Sequence, residues 1–522
     1  MPSTLPGASR RDLRPPRSAH SAALLFAVLG VLFLYAYLFT HAGSLLRLPL
    51  PQDLAAMAGL SPEGVFDEGR TVITSLWISR SHQFQDNDHE MLAYYLLLAV
   101  AFLGVYFLPV TAKRGAIALG AIVMIGAFYG FGSLAGLLVA HGVAYMLLHP
   151  PRLARAWMER SGAGTLLRFC AVQSFLLTAY FGSTAAWLLG RQWDLPTGLL
   201  LFFGQWMRLI LYDVDLRNGL IPGETTFGRY LQNFLSPGML PNWFSAIESQ
   251  GPAYTERIYL PEDKNRIAWG GARLLLLALG FFVFGNWFCR QLAELAEVLG
   301  VESYRGSLSA MTQRYHEGHE LRTATVLATS LINLLKFTVF WAGISHFKVG
   351  VWRLFGFDMA PNFNNWLIST DLLDLWGRYT YHYREFLVRA FFYPVFFRLA
   401  EWSPRRRIVA ATVAAVGVGN MLWGHGVGLI FYGGLTEGTL AFFDRRWSYF
   451  ALLSAAVAAN QLWRMGRRRE RRPWTRDRRI ILDLLRAYLT IQFFALLHVF
   501  AYPGTDATAA DLWRVFLRGF GF

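Results

Sequence analysis

The sequence contains little cysteine and lacks the common nucleotide-binding motifs. Only two of its 522 residues are cysteines, Cys170 and Cys289, and both lie in apolar segments. Neither a disulfide framework nor a cysteine-based metal site is therefore supported. A Walker loop, a GxGxxG fingerprint and a GxSxG nucleophile elbow are also missing from the sequence.

Charged residues are scarce as well. They make up 16% of the chain, whereas hydrophobic residues make up 54% and aromatic residues 16%. Apolar stretches near the length of a bilayer-spanning helix recur along the whole sequence. We therefore predict an all-α polytopic membrane protein with about 11–13 transmembrane or re-entrant helices.

The positive charge is concentrated in two blocks. Of the net charge of +15, residues 464–479 contribute +7 and residues 1–20 contribute +3. Both blocks flank apolar helices, where basic residues keep loops in the cytoplasm. We interpret them as a topology signal that also contacts membrane lipid, not as a nucleic-acid site. The N-terminus is then cytoplasmic in a multi-pass membrane protein.

Apolar runs and loop charges divide the chain into five parts. The chain begins with a disordered basic N-terminus (1–20). It ends with an Arg-rich cytoplasmic loop (464–479), followed by a last span with an outer C-terminus (480–522). Between them lie N-terminal transmembrane helices (21–212), with an outer loop (41–91), and a core (213–463). The predicted spans are 21–40, 92–110, 115–130, 132–148, 169–190, 196–212, 268–289, 322–346 and 480–501, with three apolar pieces at 408–423, 426–443 and 447–463 and an interrupted, re-entrant or interfacial piece at 234–247.

A first polar patch occupies residues 361–397. If 371–389 form one helix, its charged and titratable residues share a stripe about 80° wide. Aromatic side chains, including Trp376 and Tyr379, occupy the face beside it. Such a helix either lies at the membrane surface or lines a polar cavity, and we favour the cavity because apolar sequence flanks it on both sides. The stripe consists of Asp371, Asp374, Arg378, His382, Glu385 and Arg389.

A second polar patch occupies residues 420–438 and contains His425 between two glycines. Histidine titrates near neutral pH and can act as a general base, although a histidine bonded between helices is the alternative. The Arg-rich stretches at 405–407 and 464–479 require an even number of crossings between them. Three apolar pieces lie there, so we predict a bent or incomplete crossing that holds His425 inside the membrane. Glu437 is the next acid along the chain.

Other histidine-rich stretches do not predict a metal site. The sequence HEGHE at 316–320 lacks the i, i+4 histidines of the helical zinc motif and is interpreted as a solvated loop. The acidic stretch at 86–90 is interpreted as an ordinary outer loop. We predict no bound metal.

The two patches together resemble the membrane-bound O-acyltransferase (MBOAT) family, especially its bacterial polysaccharide-modifying branch. That family carries W-x-R-[WY], R-[DE]-[YF] and, later, G-L-W-H-G elements. This chain has WGRY at 376–379, REF at 384–386, LWGHG at 422–426, YG at 432–433 and TEG at 436–438. Many bacterial members have a histidine after the aromatic residue of the first element, whereas this chain has Thr380, followed by His382. It is thus similar to a divergent member.

The resemblance implies an MBOAT-like core with a central tunnel in a bacterial inner membrane. It implies acyl transfer, most simply of acetyl, from a cytoplasmic acyl-coenzyme A or acyl carrier protein thioester to a hydroxyl. The acceptor would be an extracytoplasmic glycan or an acyl-relaying partner protein, and no bound cofactor is implied. His425 would be the general base. The supporting or donor-binding residues would be Arg378, His382, Asp371, Asp374 and Glu437, and Trp376, Tyr379, Trp423 and Tyr432 would line the tunnel.

Two other functions fit the same residues. A lipid-modifying acyltransferase keeps the chemistry and changes the acceptor. A transporter or channel accounts for a polar stripe and a broken crossing, but not for the ordered pair of motifs.

Overall fold

The fold is described from a computed structural model. It covers residues 19–39, 88–150, 202, 205–222, 225–235, 251–424, 437–466, 480–501 and 506–522. Within these residues the chain is mostly helical, and its one β-type pairing is an isolated bridge between Tyr259 and Phe357. The predicted all-α class is confirmed for this part of the chain.

Sixteen α-helices are defined in the described residues. The first eight are α1 (Ala19–Phe39), α2 (Asp88–Phe107), α3 (Val110–Leu148), α4 (Trp206–Arg217), α5 (Phe227–Phe234), α6 (Pro252–Ile258), α7 (Lys264–Val298) and α8 (Leu308–His316). The other eight are α9 (Thr323–Leu354), α10 (Leu372–Arg378), α11 (Tyr381–Leu387), α12 (Tyr393–Arg398), α13 (Pro404–Thr412), α14 (Glu437–Gly466), α15 (Ile480–Leu497) and α16 (Ala509–Arg518). Two π-helical segments, Val388–Phe392 and Val413–Gly419, continue α11 and α13.

Five helical stretches in the described residues are long and apolar enough to cross a membrane. A multi-pass membrane protein accounts for them. They include counterparts of the predicted spans at 322–346, 408–423 and 480–501, and the predicted break near 130 falls at Gly130, where φ is 80°. The predicted span at 169–190 lies outside the described residues, and the span at 196–212 and the interrupted piece at 234–247 are described only in part. The five stretches are Val110–Ala127, Gly130–Leu148, Thr323–Leu354, Pro404–Gly424 and Ile480–Phe500.

The longest packed pair consists of α7 and α9. A Cβ added at Gly271 would lie 2.7 Å from the carbonyl oxygen of Gly350, and one added at Gly285 would lie 2.0 Å from Val339. The two helices therefore run antiparallel with their backbones close together, as small residues allow in membrane proteins. This pair forms the centre against which α1, α2 and the polar patches pack.

Helices α13 and α14 form an antiparallel pair. Thr412 donates a hydrogen bond to Gln461, Gly417 faces Ser454, and Gly424 faces Phe450. As residue numbers rise along α13 and its π-helical extension, those of the α14 partners fall. Arg464 and Pro404 therefore lie at one end of the pair, called here the Arg464 end.

The predicted division of 426–443 from 447–463 is wrong, because α14 is continuous from Glu437 to Gly466. Three charged residues at 444–446 separate the two apolar pieces in the sequence. Arg446 instead donates two hydrogen bonds from its guanidinium to the carbonyl of Ala501, the residue after α15 and its terminal 3₁₀ turn. Between the basic stretches at 405–407 and 464–479, the structure describes α13 with its π-helical extension and α14; residues 425–436, where the bent crossing is predicted, lie outside the described residues.

The predicted single helix over 371–389 is also wrong. Helix α10 ends at Arg378, and the chain reverses at Thr380 before α11 begins. The first leg, which contains α10, starts beside Arg464, which pairs with Asp371. The second leg, which contains α11 and α12, returns to Arg407, which donates to the carbonyl of Phe396. Both ends of this unit therefore lie at the Arg464 end. We call residues 371–398 the re-entrant hairpin.

The tip of the re-entrant hairpin lies deep in the bundle. Tyr383, just past the tip, bonds to Asn420, which lies between the positions that face Ser454 and Phe450 of α14. These α14 residues are about 15–21 Å from Arg464 at 1.5 Å per helical residue. For comparison, the hydrocarbon core of a bilayer is about 30 Å thick. Non-helical backbone is tolerated there only when it is buried in protein or lines a cavity.

Candidate functional site

The reversal at the tip is held by Asn362, from a loop that precedes it by about twenty residues in sequence. Thr380 adopts a left-handed backbone with φ of 53°, and its side chain makes no capping bond to α11. The carbonyl of Asn362 accepts from the Tyr381 N–H at 2.9 Å, and its Oδ1 accepts from the His382 N–H at 3.0 Å. Its Nδ2 donates to Ser345 Oγ of α9 at 3.1 Å. Asn362 thus caps α11 from outside and fixes it to α9.

His382 is completely buried beside this cap. Its Nε2 donates to the carbonyl of Ala360 at 2.8 Å, in the same loop as Asn362. The rings of Tyr254 and Tyr381 approach its ring edge-to-face, with centroids 6.2 Å and 5.1 Å away. His382 is therefore one of the buried residues that hold the tip of the re-entrant hairpin in place.

The charged residues of the predicted stripe divide into separate ion pairs because α10 and α11 are distinct helices. Asp371 caps the start of α10 by accepting from the Leu373 and Asp374 N–H groups, and it pairs with Arg464. Asp374 pairs with Arg378 at 3.0 Å along α10. These pairs hold the first leg straight and bind it to α14.

The second leg is tied to α4 by an ion pair between Arg389 and Asp215. The Asp215 side chain is fully buried and also accepts from the Ala253 N–H at 3.0 Å. A Cβ added at Gly251 would lie 2.4 Å from Asp215 Oδ2, so this approach requires glycine.

The aromatic residues of the first motif, Trp376 and Tyr379, pack against the hydrophobic core of the bundle. Tyr379 packs edge-to-face on Phe363, Trp366 and Phe494, and its hydroxyl lies 3.4 Å from Thr338 Oγ1. Trp376 is partly buried and packs against two clusters, one around α15 and one that also receives Trp423. The predicted tunnel-lining residues of the first patch therefore lie side by side, between the legs of the hairpin and the long helices.

The two polar patches meet at Tyr383. Its hydroxyl donates to Asn420 Oδ1 at 2.7 Å, and its ring lies 5.7 Å from that of Trp423. Asn420 and Tyr383 are both buried, so this bond forms where water cannot replace it. Residues nearly forty positions apart are brought together here because the π-helical segments of the two elements also pack, with Gly419 against Phe391 and Leu387.

The residue before His425 is closely packed. A Cβ added at Gly424 would lie 2.8 Å from the ring of Phe450, so glycine at this position permits a close approach of α14. His425 and Tyr432 themselves lie outside the described residues. Glu437 is described only as the first residue of α14.

The histidine-rich stretch at 316–320 lies at a different part of the bundle. His316 ends α8 and pairs through Nδ1 with Asp511 of α16 at 2.9 Å. Burial raises the pKa of Asp511, but hydrogen bonds from His316 and Thr508 outweigh it and hold that pKa at about 2. The contact fastens the C-terminal helix.

Sequence reasoning missed Asn362, Asn420 and Tyr383 as site residues. The two asparagines are early residues of the two polar patches, and an amide in apolar surroundings was the available signal. Their partners could not be read from the sequence, since each bond joins segments far apart along the chain.

Within the described ranges, no group of three or more His, Cys, Asp or Glu side chains is placed to hold a metal ion. No protein-family model matches the chain, and no curated protein is significantly similar to it.

Proposed function

We propose that the protein is a membrane-embedded acyltransferase whose chemistry takes place where the two polar patches meet. The contact of Tyr383 with Asn420 and Trp423 carries this proposal. Tyr383 lies between the WGRY and REF elements, and Trp423 belongs to LWGHG and packs against the same cluster as Trp376 of WGRY. The contact therefore lies among the motifs that resemble those of membrane-bound O-acyltransferases. A mid-depth tip is also the geometry that a reaction between a cytoplasmic donor and an outer acceptor requires.

In the proposed reaction, His425 acts as the general base. It follows Gly424, which lies beside Phe450 and one residue beyond Trp423. The imidazole takes the proton of an acceptor hydroxyl as that oxygen bonds to the thioester carbonyl carbon. When the carbon–sulfur bond breaks, the departing thiolate receives the proton, so the base is restored. Buried surroundings keep water from competing for the acyl group.

The supporting residues have distinct proposed roles. Asp374 holds Arg378, whose side chain is partly exposed and keeps N–H donors for a developing oxyanion. Asp371 and Arg464 fix the entrance of the first leg. His382 positions α11 through its bond to Ala360, and Trp376, Tyr379 and Trp423 form the apolar wall of an acyl tunnel. Glu437 and Tyr432 complete the second patch.

The donor in this proposal is an acyl-coenzyme A or acyl carrier protein thioester, and the transferred group is acetyl. The acceptor is an extracytoplasmic polysaccharide or a partner protein that relays the acyl group. The chain would reside in a bacterial inner membrane with its N-terminus in the cytoplasm, as the basic blocks indicate.

A transporter is the second candidate, because re-entrant hairpins and interrupted helices also build solute sites at mid-membrane. The two functions are separated by incubating the purified protein with acetyl-labelled thioester donors and, in proteoliposomes, with labelled solutes. Thioester turnover supports acyl transfer. Solute flux without thioester turnover would replace it with transport.

The contact between the patches is tested by Tyr383→Phe. Removal of the hydroxyl leaves the buried Asn420 oxygen unpaired, at a cost of about 1–3 kcal/mol. We expect acetyl transfer to fall roughly tenfold or more. Tyr393→Phe is the matched control, because Tyr393 is 45% exposed on α12. Equal rates in both variants would count against a reaction centre at this contact.

A further inference from the structure

Two arginine–tyrosine pairs flank the buried His382. On α6, the guanidinium carbon of Arg257 lies 5.6 Å from the centroid of the Tyr254 ring. On α11, that of Arg384 lies 5.2 Å from the centroid of the Tyr381 ring. Both tyrosines pack edge-to-face on His382, and the charges of Arg257 and Arg384 both act on Tyr381, so the two pairs lie near each other beside one histidine.

The pairs leave hydrogen-bonding capacity unused. A guanidinium stacked on a ring keeps the N–H groups in its own plane, which form the fork that binds phosphate. Arg257 is exposed and forms no ion pair among the described residues. The acid next to it in sequence, Glu256, pairs with Arg114 and Arg229 instead. Arg384 pairs with Glu385, but its Nε is buried without a hydrogen bond from the described part of the chain.

The phenol of Tyr254 adds a neutral donor. Its oxygen accepts from the Ala360 N–H at 3.4 Å, which leaves its own proton for another acceptor. Burial raises the pKa of Tyr254, and this effect outweighs the lowering by its hydrogen bond and by Arg257. The resulting pKa is about 12, so the phenol stays protonated at neutral pH. The neighbouring acid Asp358 is already paired with Arg353 and Arg266.

We propose that Arg257 and Arg384, with Tyr254, form a binding site for a phosphate group between α6 and the re-entrant hairpin. An arginine fork can give a phosphate two parallel N–H···O bonds, and the partly buried setting of Arg384 strengthens the attraction relative to water. The phosphate belongs either to a nucleotide-linked thioester donor or to an anionic lipid headgroup. Only its assignment to the donor rests on the proposed acyl transfer.

The site gives Arg384 a role apart from the ion pairs of α10. Its Nη1 lies 3.5 Å from the position of a Cβ at Gly377, so the side chain reaches back toward the first motif. A phosphate held there would lie beside the hairpin that carries Arg378 and Tyr379. The site therefore places the charged part of a ligand at the tip of the re-entrant hairpin, next to the first motif.

The test uses the full-length protein in nanodiscs of neutral lipid, with coenzyme A as the probe. Arg257→Gln and Arg384→Gln should each weaken coenzyme A binding roughly tenfold. Pantetheine, which lacks the phosphates, should bind equally weakly to wild type and variants. Arg266→Gln is the matched control, because Arg266 is exposed and already paired with Asp263 and Asp358. It should bind coenzyme A within about twofold of wild type.

A second arm identifies the source of the phosphate. Phosphatidylglycerol retained by the purified protein is measured by mass spectrometry in wild type and Arg257→Gln. Loss of this lipid in the variant, with coenzyme A binding unchanged, supports the site and assigns it to a headgroup. If neither ligand depends on Arg257 or Arg384, or wild type binds neither, the proposal is overturned. His425→Ala should bind coenzyme A normally, so a failure of the proposed reaction is distinguishable from a failure of this site.

Discussion

Asn362 is the residue on which the shape of the candidate site depends most. Its side chain accepts from the His382 N–H and donates to Ser345, and all three groups are buried. Asn362→Ala removes both bonds and leaves a buried N–H and a buried hydroxyl unsatisfied. Each such group costs about 1–3 kcal/mol. The bond from Tyr381 to the Asn362 carbonyl remains, so we expect a local loss of about 2 kcal/mol at the start of α11.

Hydrogen exchange measures that loss directly. A cost of about 2 kcal/mol corresponds to exchange roughly 30-fold faster for the first amides of α11, if they exchange by local opening. Asn364→Ala is the control, because the Asn364 side chain is exposed and its backbone N–H bonds independently to the Arg378 carbonyl. Unchanged exchange at 381–384 in Asn362→Ala would refute the capping role and, with it, the account of the re-entrant reversal.

Three further predictions concern the elements that position the hairpin. Gly424→Ala places a methyl 2.8 Å from the Phe450 ring, so thermal unfolding in detergent should show a loss of about 1–3 kcal/mol, which Phe450→Leu should partly restore. Arg389→Gln leaves the buried Asp215 carboxylate unpaired and should destabilise the protein by about 3 kcal/mol; a second change, Asp215→Asn, should recover most of the loss, and no recovery would contradict the pairing. The pKa of Asp511 is about 2 in the folded chain, which is lower than in the unfolded chain. The ionised carboxylate of Asp511 therefore stabilises α16 above about pH 4, and this stabilisation is lost as the pH falls from about 4 to about 2. Pepsin cleavage at the C-terminal helix should increase across that interval in wild type, whereas Asp511→Asn should be cleaved readily throughout.

Much of the helical framework could be predicted from the sequence. The starts of α9 and α15 follow from long apolar runs bounded by charge, whereas α9 continues to Leu354, beyond the predicted end at 346. Gly130 marks the break in α3 because its φ of 80° suits glycine. The charged run at 444–446 misled the prediction, since local composition does not show that Arg446 is satisfied by the Ala501 carbonyl.

The candidate site was only partly predictable. Amides and charges in apolar sequence identified both patches, but the periodicity of 371–389 is compatible with one uninterrupted helix. The break at Thr380 is fixed by Asn362 and Ser345, which are distant in sequence. Likewise, the contact of Tyr383 with Asn420 depends on two antiparallel elements whose pairing no local pattern records.

The proposed reaction is tested most directly by the rate of labelled acetyl transfer from a thioester donor in wild type and His425→Ala. General-base catalysis predicts a fall of roughly 100- to 10,000-fold, with membrane insertion and coenzyme A binding retained. His319→Ala, at the exposed end of the α8 turn, serves as the histidine control and should transfer at the wild-type rate. Transfer by His425→Ala at the wild-type rate would contradict the assignment of the chemistry to this histidine.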